Sequence, residues 1–317
     1  MQTIWPALYG RHFYPDTILY QRSRWEAPDG DFVDVDWLAP KPDDNLEGSQ
    51  PKRPLLVLFH GLEGNSQSHY ARAFASYASR QGWGYAVPHF RGCSGEINLA
   101  PRAYHSGDFG EVEWILQRMR ATHDGPIAAV GVSLGGNALL RWAQESGGAA
   151  GTMVAAIAAV CSPLDLKVCG LALGKGFNRV VYTPMFLRTM KAKAQLKWDQ
   201  YPRLFDRDAM LASRNLYDFD NAFTAPLHGF KGTEDYWAKA SSKPHLKSLQ
   251  IPTLIVHAQN DPFVPPMCLP TSRDVADCVT LWQPEHGGHV GFHAGWPPGN
   301  LQSLPTFVGQ WLRPHLP

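Results

Sequence analysis

The hydrophobic and polar positions alternate first, then run continuously. Residues 19–27 (LYQRSRWEA) and 31–39 (DFVDVDWLA) alternate and flank Pro28-Asp29-Gly30, which predicts a β-hairpin around a turn. Residues 40–54 are polar and proline-rich and read as a surface loop. PLLVLFH (54–60) is then apolar throughout, the pattern of a strand covered on both faces. From there strands and helices alternate. Helical spacing over 66–80 precedes a strand at 85–90 (YAVPHF). A helix over 107–120, with Ser106 at its N-cap, precedes a strand at 126–132 (PIAAVGV). A helix over 135–145 precedes a strand at 153–160 (MVAAIAAV). This rhythm of buried strands and helices implies a parallel sheet with helices on both faces.

The rhythm stops between about residues 162 and 248, which read as helical and rich in aromatic and basic side chains. It resumes with TLIVHA (253–258), CVTLWQ (278–283) and a helix over 304–312. The expected organisation is a doubly wound α/β core, residues 1–161 and 249–317, with a helical cap inserted at 162–248. In the cap, Phe177, Tyr182, Met185, Phe186, Leu187, Phe219, Phe223, Phe230, Tyr236 and Trp237 are available to pack it or to line an apolar pocket.

Composition narrows the function classes. The chain has 317 residues, 44% hydrophobic, enough for a large core. Lys+Arg 29 against Asp+Glu 28 gives +1, which removes the electrostatic motive for a nucleic-acid partner. Five cysteines with no CxxC pair suggest neither a disulfide framework nor a zinc ribbon. The first 13 residues lack a basic n-region and are broken by Pro6 and Gly10, unlike a signal peptide. No apolar run approaches the ~20 residues of a membrane span. The expectation is a soluble, cytoplasmic protein without stable membrane insertion.

Gly131-Val132-Ser133-Leu134-Gly135 lies between a strand and a helix. That setting suits a nucleophilic serine on a sharp turn, with small residues on either side letting the backbone pass. His60-Gly61-Leu62-Glu63-Gly64 follows the first buried strand. A glycine loop there can aim backbone N–H groups at a developing oxyanion. Leu62 and Leu134 N–H are assigned that role, and His60 is read as a hydrogen-bonder that fixes the loop. Asp261, before Pro262, sits just past the strand at 253–258, and His289 follows Gly287-Gly288 after the strand at 278–283. Asp261 is the expected orienter and His289 the expected base. His286 and His293 compete with His289. Three histidines also invite a metal reading, disfavoured because the glycines give no rigid ligand face. No cofactor is required. Cys93 reads as a packed small residue, Asp108 as a first-turn acid, and the basic run at 188–197 as a solvated helix face. The order oxyanion loop, serine, insertion, aspartate, histidine is that of α/β-hydrolases.

The match goes further. HGLEGNSQSHYARAFASYASRQGWGYAVPHFRGCSGE, YHSGDFGEV, GVSLGGNAL, YDFDNAFTAPLHGF, NDPFVPP and HGGHVGF resemble the YheT-like branch of the α/β-hydrolases over roughly residues 20–315. Relatives there include yeast medium-chain fatty-acid ethyl ester synthase/esterases and animal membrane-anchored phospholipase-like hydrolases. The resemblance implies Ser133 as nucleophile, Asp261 as acid, His289 as base, and ester chemistry on a small-molecule substrate. The eukaryotic relatives carry an N-terminal anchor that these residues lack, so bilayer lipids are expected to be poor substrates. An acyltransferase or thioesterase would use the same triad. A peptidase, or a non-catalytic binding protein on the same fold, are the other readings.

Overall fold

The computed structural model describes Thr3 and residues 18–39, 52–293 and 300–316. The loop expected at 40–54 lies outside these apart from its last three residues. Eight strands form one sheet: β1 (Tyr20–Glu26), β2 (Phe32–Leu38), β3 (Leu55–Phe59), β4 (Gly84–Pro88), β5 (Ile127–Val132), β6 (Ala156–Val160), β7 (Thr253–Val256) and β8 (Val279–Trp282). Their spatial order is β1-β2-β4-β3-β5-β6-β7-β8. The β1–β2 hairpin and its junction with β4 are antiparallel, and every pairing from β4 to β8 is parallel.

Strand alternation divides the core in two. Leu55, Val57 and Phe59 of β3 face one way with Ile127 and Ala129. They pack on helices α2 (Phe109–Thr122) and α3 (Leu134–Ser146) through Ile115, Leu116 and Leu139. Leu56 and Leu58 face the other way with Ala128 and Val130. They pack on α1 (His69–Gln81) through Phe74 and, with Leu254, on the C-terminal helix Ser303–Leu312 through Val308. Because both faces are covered, the strands carry continuous apolar runs.

From β3 the chain crosses to β4 on one side, then returns to β5 on the other side of β3. Two connections leaving in opposite directions open a crevice at the strands' C-terminal ends, where open α/β sheets bind ligands. The turns after β3 and β5 both emerge there.

Residues 162–248 contain no strand. Two helices, α4 (Leu166–Leu173) and α5 (Gly176–Gln200), lead into short helices, a π-helical turn (Asp220–Thr224) and α6 (Thr233–Ala240). Leu187, Phe205, Met210, Phe219 and Phe223 form a separate apolar cluster. Cys169, Leu173 and Tyr182 pack on Phe263, Val264 and Cys268 of the core.

Three local expectations are corrected. Ser106 does not cap α2: the helix starts at Phe109 with Asp108 at the cap position. The Ser106 carbonyl and hydroxyl instead accept from Asn137 Nδ2 (2.9 and 3.0 Å). The strand expected from Met153 starts at Ala156, since residues 150–153 close a helical turn. The basic run is a solvated face only in part: Arg188 is exposed, but the lysines are not free. Lys197 is 1% exposed and donates to the carbonyls of Asn98 (2.7 Å) and Ala100 (2.9 Å). Burial brings its ammonium down to about 8. Lys191 and Lys193 also turn onto protein acceptors. Long lysine stems let α5 lie against the core while their heads satisfy loop oxygens.

Asp31 anchors the hairpin. Its carboxylate accepts from Asn98 Nδ2, Leu99 N–H and Arg91 Nη1, each at 2.7 Å. Burial alone would raise its pKa, but these bonds and one from Phe32 N–H hold it at about 2. The folded value lies below the unfolded one. Its stabilisation is therefore whole above the ordinary carboxylate range and is lost as pH falls from about 4 through 2. Urea midpoints at pH 7 and pH 3 are expected to differ less in Asp31→Asn than in the unaltered chain. Equal differences would remove Asp31 from the acid response.

Candidate active site

Ser133 is the first residue past β5 and precedes α3. Its φ is 53°, a left-handed conformation that a non-glycine residue adopts at a cost. The tight turn is possible because Gly131 and Gly135 have no Cβ: one on Gly135 would lie 2.4 Å from His60 O. Ser133 N–H donates to Val160 O (2.8 Å), which pins the turn to the end of β6.

The loop after β3 faces it. Gly61 N–H donates to Tyr70 Oη (2.9 Å), Glu63 N–H to Tyr104 Oη (2.9 Å) and Gly64 N–H to Gly61 O (2.9 Å). Leu62 N–H has no protein acceptor among the described residues, and neither has Leu134 N–H in the first turn of α3, where helix donors lack intrahelical partners. Leu62, Ser133 and Leu134 line one cleft together with His289. His60 is fully buried, and burial pushes its pKa down to about 3. Neutral, it donates from Nδ1 to Gly61 O (2.8 Å) and accepts Phe90 N–H at Nε2 (3.0 Å), fixing the loop.

Asp261 and His289 meet from successive strand ends. His289 Nδ1 lies 2.8 Å from Asp261 Oδ2, and the carboxylate's other oxygen accepts Phe263 N–H (2.8 Å). The neighbouring Asn260 accepts both Gly287 N–H (3.1 Å) and Gly288 N–H (2.8 Å), so one side chain ties the histidine loop to the aspartate turn. The Phe263 ring packs on the imidazole, centroids 4.4 Å apart. His286 stays at the surface, 3.4 Å from Asn260 Nδ2.

The three-histidine metal grouping does not form among the described residues. A different trio does: one ligand atom each from Cys161, Asp261 and His289 lie within 4.8 Å of one another. Burial, with Asp261 beside it, pushes the Cys161 thiol well above its ordinary range. A protonated thiol is a poor metal ligand, and the other two groups already bond each other.

The cleft beside Ser133 is walled by Leu166, Leu173, Phe186, Leu216, Trp237 and Phe263, among others. Phe177 and Met185 of the helical segment point outward, 63% and 52% exposed, and are not part of this wall. A second cleft adjoins the first and shares Leu62, Leu134, Met190, Asp220 and Tyr236 with it. Asp220 is a wall residue that motif reading does not single out. Its carboxyl accepts Thr224 Oγ1 (2.6 Å) and Trp237 Nε1 (2.8 Å), and burial raises it to about 6. Thr224 belongs to the same π-helical turn, but no spacing rule marks Asp220, because Trp237 comes from α6, 17 residues on.

The comparisons agree with this architecture. The family described as alpha/beta hydrolase fold matches residues 54–295. YheT of Escherichia coli (strain K12) is 39% identical over 319 residues, covering all of this chain and 90% of that one. A phospholipase of Mus musculus is 27% identical over 287 residues, 88% of this chain and 68% of that protein. Among solved structures, an esterase of Pyrococcus furiosus superposes with a TM-score of 0.57 at 14% identity, covering 95% of this chain and 94% of that one. The Est1E protein of Butyrivibrio proteoclasticus, solved with ferulic acid bound, gives 0.57 at 14% identity, over 94% and 98%. At such identities the superpositions speak to the fold. The chain belongs to the alpha/beta hydrolase fold family, in the branch that contains YheT of Escherichia coli.

Proposed function

We propose that this chain hydrolyses carboxylic esters through an acyl-enzyme on Ser133. One observation carries the reading: a serine on a strained turn shares a cleft with two backbone N–H groups that lack protein acceptors among the described residues and with an imidazole already held by a carboxylate. His289 takes the Ser133 proton as Oγ attacks the acyl carbonyl. Leu62 and Leu134 N–H receive the carbonyl oxygen as it becomes negative. Asp261 holds the Nδ1–H tautomer and stabilises the imidazolium. His289 then protonates the departing alcohol, and water, activated by the same imidazole, releases the acid. The names carried by the relatives, an esterase and a phospholipase among them, favour ester over amide substrates.

Residues 162–248 form the cap over this cleft in the same reading. The apolar wall they supply with Phe263 and Val264 suits an acyl chain. Each buried methylene is worth about 0.8 kcal/mol, up to roughly fourfold in binding until the cleft is full. A fluorophosphonate probe is expected to add covalently at Ser133, read by peptide mass spectrometry. Across p-nitrophenyl esters kcat/KM is expected to rise from acetate toward medium chains and then fall. Labelling that survives Ser133→Ala overturns the nucleophile. A profile that falls steadily from acetate overturns the acyl-binding cap.

A further inference from the structure

The turn that carries Leu62 is held by a residue the hydrolysis scheme leaves unused. The bond from Gly64 N–H to Gly61 O closes a four-residue turn with Leu62 and Glu63 at its centre. Glu63 sits there at φ 57°. That position of such a turn favours glycine or asparagine, and a branched-off Cβ costs conformational energy. Three contacts hold the glutamate in place. Its N–H donates to Tyr104 Oη (2.9 Å), the Tyr104 hydroxyl donates back to Oε1 (2.8 Å), and Lys193 Nζ donates to the same Oε1 (2.9 Å). Tyr104 is itself braced by stacking on Phe90, centroids 5.4 Å apart. Lys193 belongs to α5, 130 residues further along the chain, and its ammonium also lies 3.2 Å from Cys93 Sγ. The Glu63 side chain is only 11% exposed.

A glycine at 63 would adopt this backbone freely, but it could reach neither Tyr104 nor Lys193 through a side chain. A strained glutamate next to Leu62, whose N–H is the one donor in the turn's 61–64 stretch without a protein acceptor among the described residues, places the strain beside the reacting centre. Outliers of this kind point to a functional constraint. The helical insertion thus touches the oxyanion turn directly, through one ion pair.

We propose that Glu63 and Lys193 are positioning residues: together they lock the Gly61–Gly64 turn so that Leu62 N–H faces the carbonyl oxygen of the bound ester, and they make oxyanion stabilisation depend on the seating of α5. The proposal rests on the hydrolysis reading above. It acts on the transition state, because the donor's aim matters when charge develops and little before. A displacement of about 1 Å in such a group can cost up to 100-fold in rate.

The test compares Lys193→Met, Lys193→Arg, Glu63→Gln and Glu63→Gly with the unaltered chain. It measures kcat and KM on p-nitrophenyl butyrate, Tm, and the affinity of an alkylboronic acid, whose tetrahedral adduct on Ser133 sets an oxygen where the donors point. Lys193→Met and both Glu63 variants are expected to lower kcat about tenfold or more, with KM within about twofold. Boronic-acid affinity should fall by a similar factor, and Lys193→Arg should keep most of the rate. Lys193→Met should melt within a few degrees of the unaltered chain. An unchanged kcat, a rise in KM in place of a fall in kcat, or a loss that arginine does not recover overturns the proposal. If Glu63→Gly does not fold, the two Lys193 variants decide. An unaltered chain that turns over no ester overturns the hydrolysis reading and this proposal with it; an active chain with indifferent variants overturns this proposal alone.

Discussion

Ser133→Ala is expected to lower kcat on p-nitrophenyl butyrate by about five to six orders of magnitude while Tm stays within a few degrees. The size follows from the way a nucleophile and its base act as one unit, so that losing either costs nearly as much as losing both. His289→Ala should be comparable, and Ser133→Ala/His289→Ala no worse than the worse single variant. Asp261→Asn should cost about 10⁴-fold, because the amide can offer its N–H to Nδ1 and stabilise the wrong tautomer. His286→Ala is expected to change kcat by no more than a few fold, since that ring stays at the surface against Asn260. The fold should survive Ser133→Ala because the turn is held by backbone: Ser133 N–H on Val160 O, and Gly136 and Asn137 N–H on Ser133 O. A Ser133→Ala variant that keeps a tenth of the rate, or a His286→Ala variant as impaired as His289→Ala, would remove the assignment.

Much of the architecture is legible in the sequence for a physical reason. Strands covered on both faces must be apolar at every position, so β3, β5 and β6 stand out as unbroken runs, and the hairpin stands out as alternation. The candidate site is legible because a sheet's strand ends are consecutive in the chain even when they are not adjacent in space. A serine after β5, an aspartate after β7 and a histidine after β8 need no tertiary knowledge to be noticed.

What stays hidden depends on partners far away in the chain. Nothing local says that Ser106 serves Asn137 of α3 and Tyr236 of α6 in place of its own helix. The lysines of α5 read as a solvated face because Asp199, Asp206 and Asp208 follow the run closely; their acceptors are loop carbonyls and Glu63, about 100 residues or more away for Lys197 and Lys193. Asp220 is hidden in the same way, since its raised pKa comes from burial under elements that pattern reading cannot assemble. The reading of α5 fails where the insertion meets the core, and that junction is where Glu63 and Lys193 meet.

Gly135→Ala is expected to be, with Gly131→Ala, among the most costly single methyl additions around the serine turn. A Cβ at 135 would lie 2.4 Å from His60 O, 2.5 Å from Phe59 O and 2.7 Å from Phe59 C. All three are backbone atoms at the end of β3, which is paired to β4 on one side and to β5 on the other. The strand therefore cannot recede as a flexible side chain would. Helix α3 would have to rise off the sheet, and its packing through Leu139 and Trp142 would open with it. Overpacking a core side chain typically costs ~1–3 kcal/mol, and a rigid backbone clash should exceed that range, to about 4 kcal/mol or more. Against a total stability of about 5–15 kcal/mol, Tm should fall by roughly 10 °C or more, or the chain should leave the soluble fraction. Gly110→Ala is the matched control. It lies in the first turn of α2 with nothing within 4 Å of a built Cβ, so its Tm should hold or rise slightly, by the helix preference of alanine over glycine, at most about 1 kcal/mol. If Gly135→Ala melts within a few degrees of Gly110→Ala, the approach of α3 to β3 is looser than these contacts require, and the steric account of the serine turn fails with it.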